Sequence, residues 1–156
     1  MTALPPSPPP VASVPLLSGP VLGRLGPFEV GHDGALSPSG ANGPVRFAFL
    51  WRERRVQAEL AAERRLRLSI PAARVPYTAE QAARRSSVLT AVLALRAGRE
   101  AELSAVLSPS HEVRLEWRVT LEATTASRLV AAATRFVLAV EPYLQLLEEE
   151  GAIPPA

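Results

Sequence analysis

The sequence predicts an α+β fold, an antiparallel β-sheet with helices packed on one face, in the order (α)-β-β-β-α-β-β-α. Three observations predict it. From His111 to Glu122 the residues alternate strictly. Val113, Leu115, Trp117, Val119 and Leu121 fall on one side and Arg114, Glu116, Arg118, Thr120 and Glu122 on the other, which is a strand with one dry and one wet face. Past Ala123 the period changes: Leu129, Val130, Ala133, Phe136, Val137, Val140, Leu144 and Leu147 recur at three and four, one face of a helix. Upstream, Val45 to Ile70 alternates in the same way and is followed by a second helical segment behind the capping box Thr78-Ala79-Glu80-Gln81.

The 156 residues, 47% of them hydrophobic, suffice for one domain with a core. Residues 1–13 are expected to be a disordered proline-rich tail, 14–150 a single α+β domain, and 151–156 a second tail. No apolar run approaches the roughly 20 residues of a membrane span, so no membrane is expected. No basic region precedes the first apolar residues, so a secretory signal is not expected. The chain has no cysteine, which excludes disulfides and thiolate chemistry and fits a cytoplasmic protein. Every basic side chain is arginine. The net charge is only +2, so the pI near 9.9 reflects arginine's high pKa more than a cationic field.

Met1 to Pro44 holds ten of the 16 prolines and seven of the nine glycines. Pro5 to Pro10 favours polyproline II, either as a ligand for a proline-binding module or as a solvated tail. Val14 to Leu25 carries Leu16, Leu17, Val21, Leu22 and Leu25 at helical spacing, weakened by Gly19, Pro20 and Gly23, so a short helix is expected. Phe28 to Val30 reads as a brief strand and Gly31 to Pro44 as loop. Val45 to Trp51 is a strand. Arg54 to Leu60 fits strand or helix, and strand is favoured because Leu66, Leu68 and Ile70 continue the alternation after a turn at Ala62 to Arg64. Pro71 and Pro76 are expected to end that segment. The helix after Thr78 is expected to bury Ala82, Leu89, Val92 and Leu93 and to end at Gly98. Ala101 to Leu107 is a strand, turned by Ser108-Pro109-Ser110 into the long strand. Thr124 or Thr125 caps the last helix. Pro142 interrupts neither side of its apolar stripe, so one continuous helix is expected, kinked near Leu138 to Glu141. The carboxylates of Glu148 to Glu150 oppose the helix dipole there, so either the last turn frays or a basic partner, or the arginine-rich strands of a second subunit, hold it.

No constellation for catalysis emerges. His111-Glu112 lacks the second histidine of a zinc protease, His32-Asp33 lacks companion ligands, and Gly19 to Gly26 lacks the lysine of a P-loop. No serine sits in an elbow motif. A non-enzymatic protein without cofactor or metal is expected. The arginines between Arg46 and Arg74 leave two readings open. Arg52, Arg54, Arg55, Arg65 and Arg67 form a phosphate-binding face for single-stranded nucleic acid, with Trp51 as a stacking surface. Alternatively they form a solvated face of arginine–glutamate pairs, with Trp51 and Trp117 in the core.

Two stretches, RLRLSIPAARVPYTAEQAARRSSVLTAVLAL and HEVRLEWRVTLEATTASRLVAAATRFVLAVEPYLQLLEE, resemble the strand–proline link–helix and the last strand and helix of the YbjN family. The order of elements is similar to that of class I type III secretion chaperones. The resemblance covers about residues 45–149 and rests on apolar spacing. It implies a homodimeric, chaperone-like adaptor that binds another protein, and it brings no catalytic residues. Val88, Leu95 and Val106, off the main apolar phase of the middle helix and the hairpin, are the expected dimer or partner surface.

Overall fold

A computed structural model describes residues 21–40, 43–75, 78–96 and 103–155. The expected disordered residues 1–13, the capping box side chains and the Leu95 side chain lie outside the described set. The fold is α+β, with two antiparallel sheets and two helices. A small sheet has the order β1 (Val21–Leu25), β2 (Phe28–Gly31), β3 (Leu36–Pro38). A five-stranded sheet is built from β4 (Val45–Trp51), β5 (Arg54–Leu60), β6 (Arg65–Arg74), β7 (Leu103–Leu107) and β8 (Glu112–Thr120), in the order β4-β5-β6-β8-β7. The helices are α1 (Thr78–Arg96) and α2 (Ala126–Glu149). The chain order is therefore β-β-β-β-β-β-α-β-β-α, not the expected (α)-β-β-β-α-β-β-α.

The difference lies upstream of Val45. Val21–Leu25 was expected in a helix and is strand β1. Gly26, at φ +57°, and Pro27 form a two-residue turn that sets Leu25 opposite Phe28. Glycine first in such a turn reverses the chain at no steric cost, whereas glycine and proline both oppose a helix. The expected loop 31–44 contains β3, anchored by the Leu36 N–H on the Thr124 carbonyl (2.8 Å). Phe28 and Leu36 are buried and join the small sheet to the main core.

Cross-strand register keeps one face of the large sheet apolar. Phe47 sits opposite Ala58, Ala58 opposite Leu68, Leu68 opposite Trp117 and Trp117 opposite Leu103. Helix α2 covers this face with Phe136, Val140, Leu144 and Leu147, all buried, and Phe136 stacks on Trp117 at 6.2 Å. By length and composition α2 alone among the described helices is apolar enough to cross a membrane, but these residues lie against the sheet. Thr125 caps it, accepting from the Arg128 N–H at 3.3 Å. It runs unbroken through Pro142, which is exposed, as is Leu138 four residues back. The carbonyl deprived of its donor therefore faces water.

Three further expectations are corrected. Strand β6 does not stop at Pro71 but continues to Arg74 with a register shift between Pro71 and Ala73. Its ladder with β5 ends at Ser69, and beyond it the Arg54 guanidinium donates to the Pro71 and Ala72 carbonyls (3.3 and 2.7 Å). N and O of one residue share a side of an extended strand, so proline's missing N–H costs no ladder bond. In α1, Val88, Ala91 and Val92 are buried, whereas Ala82 is exposed and Leu93 is 62% exposed. Val88, expected on a partner surface, is thus a core residue. The chain does not trail off after Glu150. Gly151, at φ +80°, reverses it, with Ala152 N–H on the Leu147 carbonyl (2.9 Å), and Ile153 pairs with Arg74.

Candidate functional site

Two surfaces stand out, one at the β4 edge of the large sheet and one on its helix-free face. The first is an apolar groove of about 500 Å³. Its floor is the dry side of β4, where Phe47, Phe49 and Trp51 are only partly buried because β4 is the sheet's edge. One wall is the β1–β2 turn, with Leu25, Pro27 and Phe28; Phe28 meets Phe47 edge-on at 5.7 Å. The other wall is the first half of α2, including Leu129, Val130 and Val137. Val130 is 65% and Leu25 51% exposed. Apolar side chains at helical spacing normally point into a core; Val130 keeps the spacing yet stands over a groove that nothing fills among the described residues.

The edge itself is open. Arg52 and Glu53, both at positive φ, make a two-residue turn with Trp51 opposite Arg54. That closing pair is hydrogen-bonded, so the odd-numbered residues of β4 bond to β5 while Arg46, Ala48 and Leu50 turn their N–H and C=O groups outward. Among the described residues no strand pairs with that side.

The second surface is the helix-free face. Arg46, Arg55, Arg65, Arg67, Arg114 and Arg118 share it with Glu59, Glu112 and Glu116 by register. Glu116 is the unexpected member, since only 6% of its side chain is exposed although it lies on the wet phase. Arg67 grips it with two donors, Nη2 to Oε1 at 2.5 Å and Nε to Oε2 at 3.2 Å, and Arg118 approaches Oε2 at 3.5 Å. The hydrogen bonds to Glu116 raise the Arg67 pKa above its ordinary value, against partial burial, with the Coulombic pull of Glu116 and Glu59 adding to the rise. Arg46 pairs with Glu59 at 2.9 Å. Arg114 reaches Glu112, Ser69 and Gln57 at 2.9, 3.2 and 3.3 Å.

The five arginines proposed for a nucleic-acid face therefore separate. Arg55, Arg65 and Arg67 share the helix-free face. Arg52 and Arg54 are turned to the helix side, where they pair with Glu141 (2.5 Å) and Glu148 (2.9 Å) of α2, and Arg52 lies over the Trp51 ring at 5.3 Å. The acidic end of α2 is helical to Glu149, and an arginine of the same chain, Arg54, rather than one of a second subunit, pairs with it, while Ser87 of α1 donates to Glu150. Trp51 faces the groove, away from the arginines of the helix-free face. Of the expected partner surface, Val106 is 39% exposed on β7, the other edge strand, opposite Arg114 on the helix-free face and next to exposed Leu107 in the chain. Sequence reasoning missed the groove because its floor residues read as core. The signal was the surplus of large apolar groups at Leu25, Phe47, Phe49, Trp51 and Val130 beside a strand with no expected outer neighbour.

Among the described residues no group of three or more histidine, aspartate or glutamate side chains is placed to hold a metal ion. Comparison with protein-family models, curated proteins and solved structures finds no match.

Proposed function

We propose that this chain is a non-enzymatic, homodimeric adaptor of the cytoplasm, akin to the YbjN and type III secretion chaperone-like proteins its apolar spacing resembles, and that it binds a partner protein. The observation that carries the reading is the apolar groove beside an unpaired edge strand. A partner segment in extended form fits both features: its backbone pairs with Arg46, Ala48 and Leu50, and alternate apolar side chains enter the groove. The opposite edge, with Val106 and Leu107, suits the dimer contact. Affinity capture with the wild type and Val130→Asp tests the groove. The expected result is a protein partner recovered by the wild type and lost with the variant, which changes an exposed position. Equal recovery by both overturns it. Light scattering from micromolar to millimolar concentrations tests the dimer, and a monomer throughout overturns that part.

A second reading is favoured by one observation, the surplus of arginines on the helix-free face. There the protein binds single-stranded nucleic acid through Arg55, Arg65 and Arg67. Counterion release makes such binding fall steeply with salt. A titration at two salt concentrations tests it, and binding that is absent at low salt or indifferent to salt rejects it.

A further inference from the structure

The helix-free face is hollow at its centre. A depression of about 430 Å³ has Arg46, Arg55, Arg67 and Arg114 in its walls with Glu59 and Glu116. Four guanidinium groups against two carboxylates leave a surplus of two positive charges there. Among the described residues Glu112 holds Arg114 Nη1 and Glu63 pairs with Arg65 at 3.7 Å; with Arg65 and Arg118 counted as well, six guanidinium groups face four carboxylates and the surplus of two stands.

The four arginines are not equally committed. Arg67 is spent on Glu116 and Arg46 on Glu59. Arg55 is exposed and makes no hydrogen bond or ion pair among the described residues. Arg114 Nη2 donates only to neutral acceptors, Ser69 Oγ and Gln57 Oε1, at 3.2 and 3.3 Å. Two arginines that line the same hollow thus have donors unused or weakly used, beside a hydroxyl and an amide in its lining. The size is that of a small-molecule site. The charge and donors match one fully ionised phosphate, which carries up to two negative charges and three acceptor oxygens. Arginine's planar fork suits such an oxyanion better than any other side chain.

We propose that this hollow binds a small phosphomonoester, with Arg55 and Arg114 Nη2 taking the phosphate and Gln57 and Ser69 meeting the organic remainder. The site goes beyond the adaptor reading. It shares a face with the nucleic-acid reading but needs a doubly charged terminal phosphate, whereas each link of a nucleic-acid backbone carries one charge.

Isothermal titration with inorganic phosphate, at constant ionic strength in chloride, tests it. One phosphate binds per chain, and binding weakens several-fold between about pH 7.5 and about pH 5.5, where the ligand takes up a proton near pH 6. Sulfate, doubly charged throughout, binds equally at both pH values, which separates the ligand's titration from that of Glu59, Glu112 and Glu116. Arg55→Gln lowers phosphate affinity roughly tenfold, the worth of a charge-assisted contact. Arg65→Gln, on the same face outside the hollow, changes it by less than about twofold. A single-stranded oligonucleotide binds more tightly with a 5′-phosphate than without. No heat with folded protein at about 10 mM phosphate, which leaves less than about 3 kcal/mol for any binding, overturns the site. Equal losses for Arg55→Gln and Arg65→Gln, or equal binding of the two oligonucleotides, overturn it in favour of a diffuse cationic face.

Discussion

Arg54 and Arg55 are neighbours in sequence and opposites in role. Strand geometry sends successive side chains to opposite faces, so one is built into the helix side and the other left on the open face. Only 12% of the Arg54 side chain is exposed, and it holds Pro71, Ala72 and Glu148 together. Arg54→Ala strands two carbonyls and a carboxylate, and is expected to cost about 2–3 kcal/mol. For a chain of this size that lowers the thermal midpoint by roughly 5–10 °C. Arg55→Ala, with no partner to strand, is expected to change stability by less than about 0.5 kcal/mol. Calorimetry on the two variants distinguishes these roles. Glu116→Gln keeps the shape but removes the charge that Arg67 grips; because Arg67 is 45% exposed and solvent screens it, the expected loss is only about 1 kcal/mol. The raised Arg67 pKa means that its side of this stabilisation is fully present below arginine's unfolded pKa and is lost only as pH rises through the still higher folded value. The contribution of Arg67 protonation is therefore flat across neutral pH, and urea midpoints of wild type and Arg67→Gln should keep a constant separation between about pH 7 and about pH 9.

At the scale of elements, four strands of the large sheet and both helices were legible from their own periods, and β5, whose residues fit strand or helix, from the alternation that continues through Leu66, Leu68 and Ile70. Alternation from Val113 to Leu121 has a single solution, and one register step would put Arg114 and Arg118 in the core. Helix α1 was legible as a helix but not in phase. Val88, Leu89, Val92, Leu93 and Leu95 make its second half apolar all round, so two faces satisfy the same spacing and packing on β7 and α2 selects Val88. Of the small sheet only β2 was legible, as the brief strand Phe28 to Val30; β1 and β3 were not, because they are short and the sheet's burial comes from Phe28, Leu36 and a carbonyl of Thr124, contacts remote in sequence. The β4–β5 turn carries its own prediction. Arg52 and Glu53 both take left-handed backbone, which costs roughly 1–2 kcal/mol for a residue with a Cβ. Glu53→Gly relieves this at one position while adding unfolded-state entropy, so a net gain of about 0.5–1 kcal/mol is expected in chemical denaturation.

On the scale of the whole molecule, the sheet separates two surfaces of unlike chemistry. The helix side ends at the β4 edge in an apolar groove; the other side carries arginines around a hollow. The groove was not legible as a site, because it is made by elements that stop short of one another and leaves no motif; of the arginine face the sequence offered Arg55, Arg65 and Arg67 but not Arg114, which a separate strand brings beside them. The separation makes the two proposed functions independently removable: Val130→Asp is expected to abolish partner capture and leave phosphate binding within about twofold, and Arg55→Gln to do the reverse. The measurement that tests the central claim most directly is site-specific photocrosslinking from Val130 in the groove and, as control, from exposed Thr120 at the wet edge of β8. The account predicts a discrete protein adduct from Val130 whose crosslinked peptide maps to one extended apolar segment, abolished by Leu25→Asp on the facing wall, and no such adduct from Thr120. Adducts of equal yield from both positions, or none from Val130, would contradict a docking groove.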